Sequence, residues 1–307
     1  KADGKTKIWG EVASGVPGLA DSLSNVKSVS AGESMIVALR SDSTVVSWAI
    51  GYPLIDRQPP SGLSGVVAVS AGDGHGLALK RDGTVVGWGN GPMYATRVPD
   101  GLQDVVAIAA GKQHSVALKN DGTVVEWEAS NVMKVPKPAS LSGVVAIAAG
   151  DGFTVALKAD GTVAAWGLNV FGEAVVPEGL TDVVAIAAGY FHVVAKKKDG
   201  SVVGWGYDGS GQLDFPKDIK ARAVFAGGYQ TWILRDSADL VGVRNRGMAS
   251  NPKFVPGPVR IRSTDGRVLW SGRLERISDA VLHRSGQKVL IVEPLGSRVS
   301  FRVVGAL

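Results

Sequence analysis

Three of the four histidines, His75, His114 and His192, stand at one repeated spacing, each three residues after the glycine of an Ala-Gly pair. Imidazole is a common metal ligand and proton carrier, so the set invites a metal or acid–base role. The same position is filled elsewhere by Met35, Phe153 and Gln230, a mixture that no ligand set tolerates. These side chains are expected to brace a loop against its neighbour. The aspartates Asp82, Asp121, Asp160 and Asp199 form a similar array, but each precedes glycine, as turn chemistry requires. The stretch Asp208–Asp214 (DGSGQLD) lacks the ligand spacing and terminal glutamate of a calcium loop. No zinc-binding histidine pair, nucleophile elbow, phosphate loop or dinucleotide fingerprint occurs. With no cysteine, thiolate chemistry and disulfides are excluded. No catalytic residue, metal or cofactor is therefore expected.

The residues that break the repeat are aromatic. Phe and Tyr total twelve, and eight of them fall between Phe153 and Tyr229. The two positions after each Ala-Gly pair read Glu33-Ser34, Asp73-Gly74, Lys112-Gln113, Asp151-Gly152, Tyr190-Phe191 and Gly228-Tyr229. The loops that follow each closing tryptophan add Tyr52, Tyr94, Phe171, Tyr207 and Phe215. Loop aromatics offer large contact area at low entropic cost, which is why they recur at interface hot spots. The candidate binding residues are Tyr190, Phe191, Phe171, Tyr229, Tyr207, Tyr94 and Tyr52.

These positions owe their order to an internal repeat. The Ala-Gly pair recurs at Ala31-Gly32, Ala71-Gly72, Ala110-Gly111, Ala149-Gly150, Ala188-Gly189 and Ala226-Gly227, a period of 38–40 residues. A tryptophan closes each unit at Trp9, Trp48, Trp88, Trp127, Trp166 and Trp205, and the seventh equivalent is Val243. Each unit reads as three strands: a small-residue run such as Val105–Ala110, an alternating run through VALK, and Thr123–Trp127 after an Asp-Gly hairpin. Asp-Gly predicts a primed turn with positive φ. One unit is too small to stand alone, so units must stack radially as propeller blades. That topology puts two loops of every blade on one face, here called the top.

The repeated VVAIAAG-x-x-H-x-VALK-x-DGTVV-x-W pattern resembles the regulator-of-chromosome-condensation superfamily. The stretches Trp166–Gly206 and Trp205–Pro216 are similar to its compact bacterial branch, the β-lactamase inhibitory protein II type. The resemblance covers residues 1 to about 250 and implies an all-β, seven-bladed propeller of about 39-residue repeats. In that relative, loop aromatics on the top face grip the partner, and Tyr190, Phe191, Phe171 and Tyr229 occupy matching positions.

The chain opens with a third strand, Asp3–Trp9, that lacks a first and second. The expected domains are a propeller over 1–256 and a C-terminal β segment over 257–307. Gly257–Leu274 could supply strands to a closing blade shared between the termini. Alternatively, 257–307 is a small module resembling the sorting domains of the type IX secretion pathway, on its Asp265-Gly266 turn and paired strands. Net charge is +5, but ten Lys/Arg against four Asp/Glu lie from Asn251 onward, so the repeats are near neutral and nucleic acid is not the expected partner. No apolar run is long enough to span a membrane. These features together predict a non-catalytic, monomeric recognition module, secreted or on the surface of a bacterium. Its partner would be a protein or glycan bound through the top-face loops. The alternatives are inhibition of a secreted enzyme such as a β-lactamase, or a glycan-active enzyme on the same scaffold.

Overall fold

The computed structural model describes residues 25–49, 58–89, 95–127 and 134–235, with the backbone of strands at 240–243, 258–262, 268–273, 291–294 and 301–302. Tyr52 and Tyr94 lie outside the described residues. The repeats form six consecutive antiparallel sheets. The first blade holds β1 (Val26–Ala31), β2 (Met35–Arg40) and β3 (Val45–Ala49), and the second β4 (Val66–Ala71), β5 (His75–Lys80) and β6 (Val85–Gly89). The third holds β7 (Val105–Ala110), β8 (Ser115–Lys119) and β9 (Val124–Trp127). In the fourth, a short β10 (Lys134–Val135) flanks the outer strand, giving the order β10, β13 (Val163–Leu168), β12 (Phe153–Lys158) and β11 (Val144–Ala149). The fifth holds β14 (Val183–Ala188), β15 (His192–Lys197) and β16 (Val202–Gly206), and the sixth β17 (Ala221–Gly227), β18 (Gln230–Arg235) and β19 (Leu240–Val243). Val243 stands opposite Thr231, the register at which Trp166 faces Thr154 and Trp205 faces Val193.

First strands of successive blades lie against one another, β1 with β4, β4 with β7, β7 with β11, β11 with β14 and β14 with β17. These strands therefore line the axis, which explains their alanines. The closest approach falls at the Ala-Gly glycine. A Cβ on Gly32, Gly72, Gly111, Gly150 or Gly189 would sit 1.9, 2.3, 2.4, 2.6 or 2.7 Å from the carbonyl oxygen of the glycine in the next blade. No side chain fits there, so the repeat keeps glycine for space and not for φ.

The turn prediction needs one correction. Gly83, Gly122, Gly161 and Gly200 have positive φ, but the preceding aspartates do not. Gly83 N bonds Lys80 O at 3.1 Å and Lys80 N bonds Thr84 O at 2.9 Å, which is a type I turn closed by a left-handed glycine rather than a primed two-residue turn. The aspartate instead accepts from the next strand, as Asp82 Oδ1 does from Thr84 N at 3.1 Å and Thr84 Oγ1 at 2.6 Å.

Trp88, Trp127, Trp166 and Trp205 each pack onto the preceding blade. Trp88 joins Met35, Val37 and Leu39, Trp166 joins Val116 and Leu118, and Trp205 joins Phe153, Val155 and Leu157. Near the top edge a second fastener repeats. His75 Nε2 lies 3.1 Å from Ser115 Oγ, His114 Nε2 3.0 Å from Thr154 Oγ1, and His192 Nε2 3.0 Å from Thr231 Oγ1, each reaching one blade onward. Ser115 Oγ donates its hydrogen to Ala95 O at 2.8 Å, so it accepts from His75, whose neutral ring carries its proton on Nε2. Where the fourth blade has Phe153, the fifth has Val193 in place of the hydroxyl, and both are buried in one apolar cluster.

The strands β20 (Pro258–Arg262), β21 (Val268–Arg273), β22 (Ile291–Pro294) and β23 (Phe301–Arg302) pair among themselves in the order β21-β20-β22-β23, all antiparallel.

Candidate functional site

The residue after each axial glycine sits at the axial end of its blade, and for Lys112, Asp151 and Tyr190 the backbone is tied to the next blade. Lys112 N donates to Gly150 O at 3.0 Å, Asp151 N to Tyr190 O at 2.9 Å, and Tyr190 N to Gly228 O at 2.8 Å. Their side chains consequently meet across the axis. Tyr190 OH donates to Glu33 Oε2 at 2.9 Å, and Lys112 Nζ lies 3.2 Å from the same oxygen and 3.9 Å from Asp151 Oδ2. The Lys112 ammonium also rests 4.8 Å from the centroid of the Tyr190 ring, a cation–π contact. Ser34 Oγ donates to Asp73 Oδ1 at 2.8 Å and Gln113 Nε2 to Asp151 Oδ1 at 2.7 Å. Burial raises the pKa of Asp151 against the opposing pull of Lys112 and Gln113. For Lys112 burial acts downward, but Glu33, Asp151 and Asp73 outweigh it and the ammonium is held more firmly than usual. Burial, and then the bond to Glu33, raise the Tyr190 phenol, which stays protonated.

Beside this mouth lie five of the seven aromatic residues singled out in the sequence. Phe171 contacts Phe191 at 5.4 Å between centroids and Tyr207 at 4.8 Å. Tyr190 contacts Phe191 at 6.4 Å and Tyr229 at 5.5 Å, while Tyr229 lies 6.0 Å from Phe191 and 6.1 Å from Tyr207. Most of these pairs are edge-to-face or tilted, the geometry that aromatic quadrupoles favour. Phe171 is 45% exposed, and the neighbouring Val170 is also exposed. Its loop is built from within: the buried Glu173 carboxylate accepts from Val170 N at 3.0 Å and Phe171 N at 2.6 Å, and Asn169 Oδ1 accepts from Ala174 N at 3.1 Å. The loop of Tyr207 repeats the device, with Asp208 Oδ1 accepting from Leu213 N at 2.8 Å and Gln212 Oε1 from Ser210 N at 3.0 Å. Asp208 is thus part of a turn. Among the described residues no group of three His, Cys, Asp or Glu is placed to hold a metal ion.

One expectation is corrected. Phe215 is not on the top face; it packs with Val194, Ile219 and Ile233 in the interface between the fifth and sixth blades, beside Gly204. The meeting of Glu33, Lys112, Asp151 and Tyr190 was also not foreseen. The signal was present, because all four follow an axial glycine and a propeller brings that position to the axis in every blade.

Six like sheets around one axis define a β-propeller. Among solved structures the chain is similar to the CRINKLY WD40 ectodomain of the Arabidopsis thaliana receptor kinase ACR4, with TM-score 0.58, 23% identity, and 71% of this chain and 79% of that one covered. It is also similar to Prp20p from Saccharomyces cerevisiae (0.56, 20%, 73% and 77%) and to human WBSCR16 (0.56, 19%, 72% and 72%). Likeness at such identity is one of fold. More particularly, residues 66–93, 144–173 and 183–212, parts of the second, fourth and fifth blades, match the Regulator of chromosome condensation (RCC1) repeat. No curated protein sequence matches the chain.

Proposed function

We propose that this propeller is a non-catalytic recognition module that grips a protein partner through the aromatic cluster of its top face. The observation behind this reading is the cluster itself: Phe171, Phe191, Tyr190, Tyr207 and Tyr229 contact one another at the surface, on loops anchored by buried polar groups. Pre-formed aromatic surface of this kind loses little entropy on binding. The fold is compatible with such a role, since Prp20p is described by its binding to Gsp1p and histones. Affinity capture from the secreted proteins of the native organism tests it. A partner retained by the wild type should be lost with Phe171→Ala/Phe191→Ala, and a partner retained equally by both proteins would contradict the reading.

Glycan cleavage has one observation in its favour, since Glu33 and Asp151 both approach Lys112 and so lie no more than about 7 Å apart, within the range of a carboxylate pair. Lys112 stands between them, where a sugar would have to lie, and this favours recognition. Hydrolysis of a glycan panel by the wild type, lost with Glu33→Gln, would restore the enzymatic reading. The antiparallel C-terminal sheet pairs internally, which supports a separate module over 257–307, consistent with a sorting role in a bacterial secreted or surface protein. Its removal should leave the protein inside the cell.

A further inference from the structure

The aromatic cluster does not end at a neutral edge. Tyr190 belongs both to it and to the axial mouth, where the Glu33 and Asp151 carboxylates approach one ammonium, Lys112, and Asp73 adds a third negative charge nearby. The donors there are already engaged: Ser34 on Asp73, Gln113 on Asp151, Tyr190 and Lys112 on Glu33. An anion entering the mouth would meet three carboxylates against a single ammonium that already lies against one of them. A cation would meet acceptors in excess, since each carboxylate offers two oxygens and about four lone-pair sites. Lys112 already demonstrates the fit, because its ammonium lies on the Tyr190 ring with carboxylates on two sides. The side chain of Glu33 is 48% exposed and that of Asp151 7%, so one carboxylate faces an incoming partner while the other sets the field from below.

We propose that the partner presents a lysine or arginine beside an apolar side chain, with the cation entering the axial mouth against Glu33 and Tyr190 and the apolar group seating on Phe171 and Phe191. The occupant is thus a basic, apolar-tipped protein loop. This rests on the recognition reading above and adds the sign and place of the charge. Close interfacial ion pairs govern association rate and specificity, and their effect falls with salt.

The test uses a displayed library of random twelve-residue peptides selected on the full chain, with the best binders remade and titrated by fluorescence anisotropy. Enriched peptides should pair Lys or Arg with an aromatic or aliphatic residue. Their affinity should fall about tenfold with Glu33→Gln and fall as salt is raised. Lys112→Met should tighten binding, because it removes the competing cation. Enrichment of acidic or uncharged peptides, or basic peptides indifferent to Glu33→Gln, would overturn the proposal while leaving the recognition reading intact if Phe171→Ala still abolishes binding. A library yielding no binder sensitive to Phe171→Ala would remove both. Unchanged melting of Glu33→Gln and Lys112→Met shows that the fold is retained; a shared large loss would reassign these residues to ring stability and also overturn the proposal.

Discussion

The Tyr190 hydroxyl donates to Glu33 at 2.9 Å although 157 residues separate them, which ties the fifth blade to the first across the channel. With Lys112 bridging from the third blade, three non-neighbouring blades share one polar contact. Tyr190→Phe removes this tie and keeps the ring. A double-mutant cycle of Tyr190→Phe with Glu33→Ala, followed by denaturant unfolding, should show a coupling of about 0.5–1.5 kcal/mol. Additive effects would mean that the bond contributes nothing to the ring.

The histidine fasteners predict a transferable exchange. His192→Phe strands the Thr231 hydroxyl and should cost about 1–3 kcal/mol. Adding Thr231→Val reproduces the Phe153–Val193 pair of the neighbouring interface and should recover most of that loss. A double variant no more stable than the single one would contradict the pairing rule.

Acid should weaken the propeller through the same histidines. Burial holds His75 and His192 at about 4, below the ordinary imidazole value of 6.5. Above pH 6.5 folded and unfolded chains are both neutral at these sites and nothing is lost. Between 6.5 and about 4 the unfolded chain takes up protons that the folded chain refuses, so stability falls as pH falls, by up to about 3 kcal/mol per histidine. Denaturant midpoints across this window should drop, and the His192→Phe/Thr231→Val protein should drop less.

The sixth blade predicts a further partner within the chain. Phe225 and Trp232 face each other in register and are 54% and 41% exposed, whereas Val194, the equivalent of Trp232 in the fifth blade, is wholly buried against its neighbour. The unit begun by Asp3–Trp9 is expected to cover this flank. Deleting residues 1–9 should lower the melting temperature by several degrees and make Trp232 fluorescence sensitive to quenchers; an unchanged melt would exclude that closure.

Much of the fold was legible because the repeat states its own physics. The Ala-Gly glycines mark a backbone-to-backbone contact that no side chain can enter, and Trp88, Trp127, Trp166 and Trp205 mark inter-blade wedges. The aromatic residues of the site were legible as interruptions of that pattern. Phe215 was misplaced because residues on one connecting loop can turn to the face or into the interface, and only packing against Ile219 and Val194 decides which. The pairing of His75 with Ser115 was concealed for a different reason: it links position n of one repeat to position n + 1 of the next, a relation across units that each unit alone does not display.

The central claim, that the aromatic cluster is surface for a partner rather than part of the core, is tested most directly by calorimetry of Phe171→Ala/Phe191→Ala. A recognition surface predicts a melting temperature within about 2 °C of the wild type. A core role predicts a loss of about 3–5 kcal/mol for each packed phenylalanine, and a fall of more than about 10 °C would contradict the account.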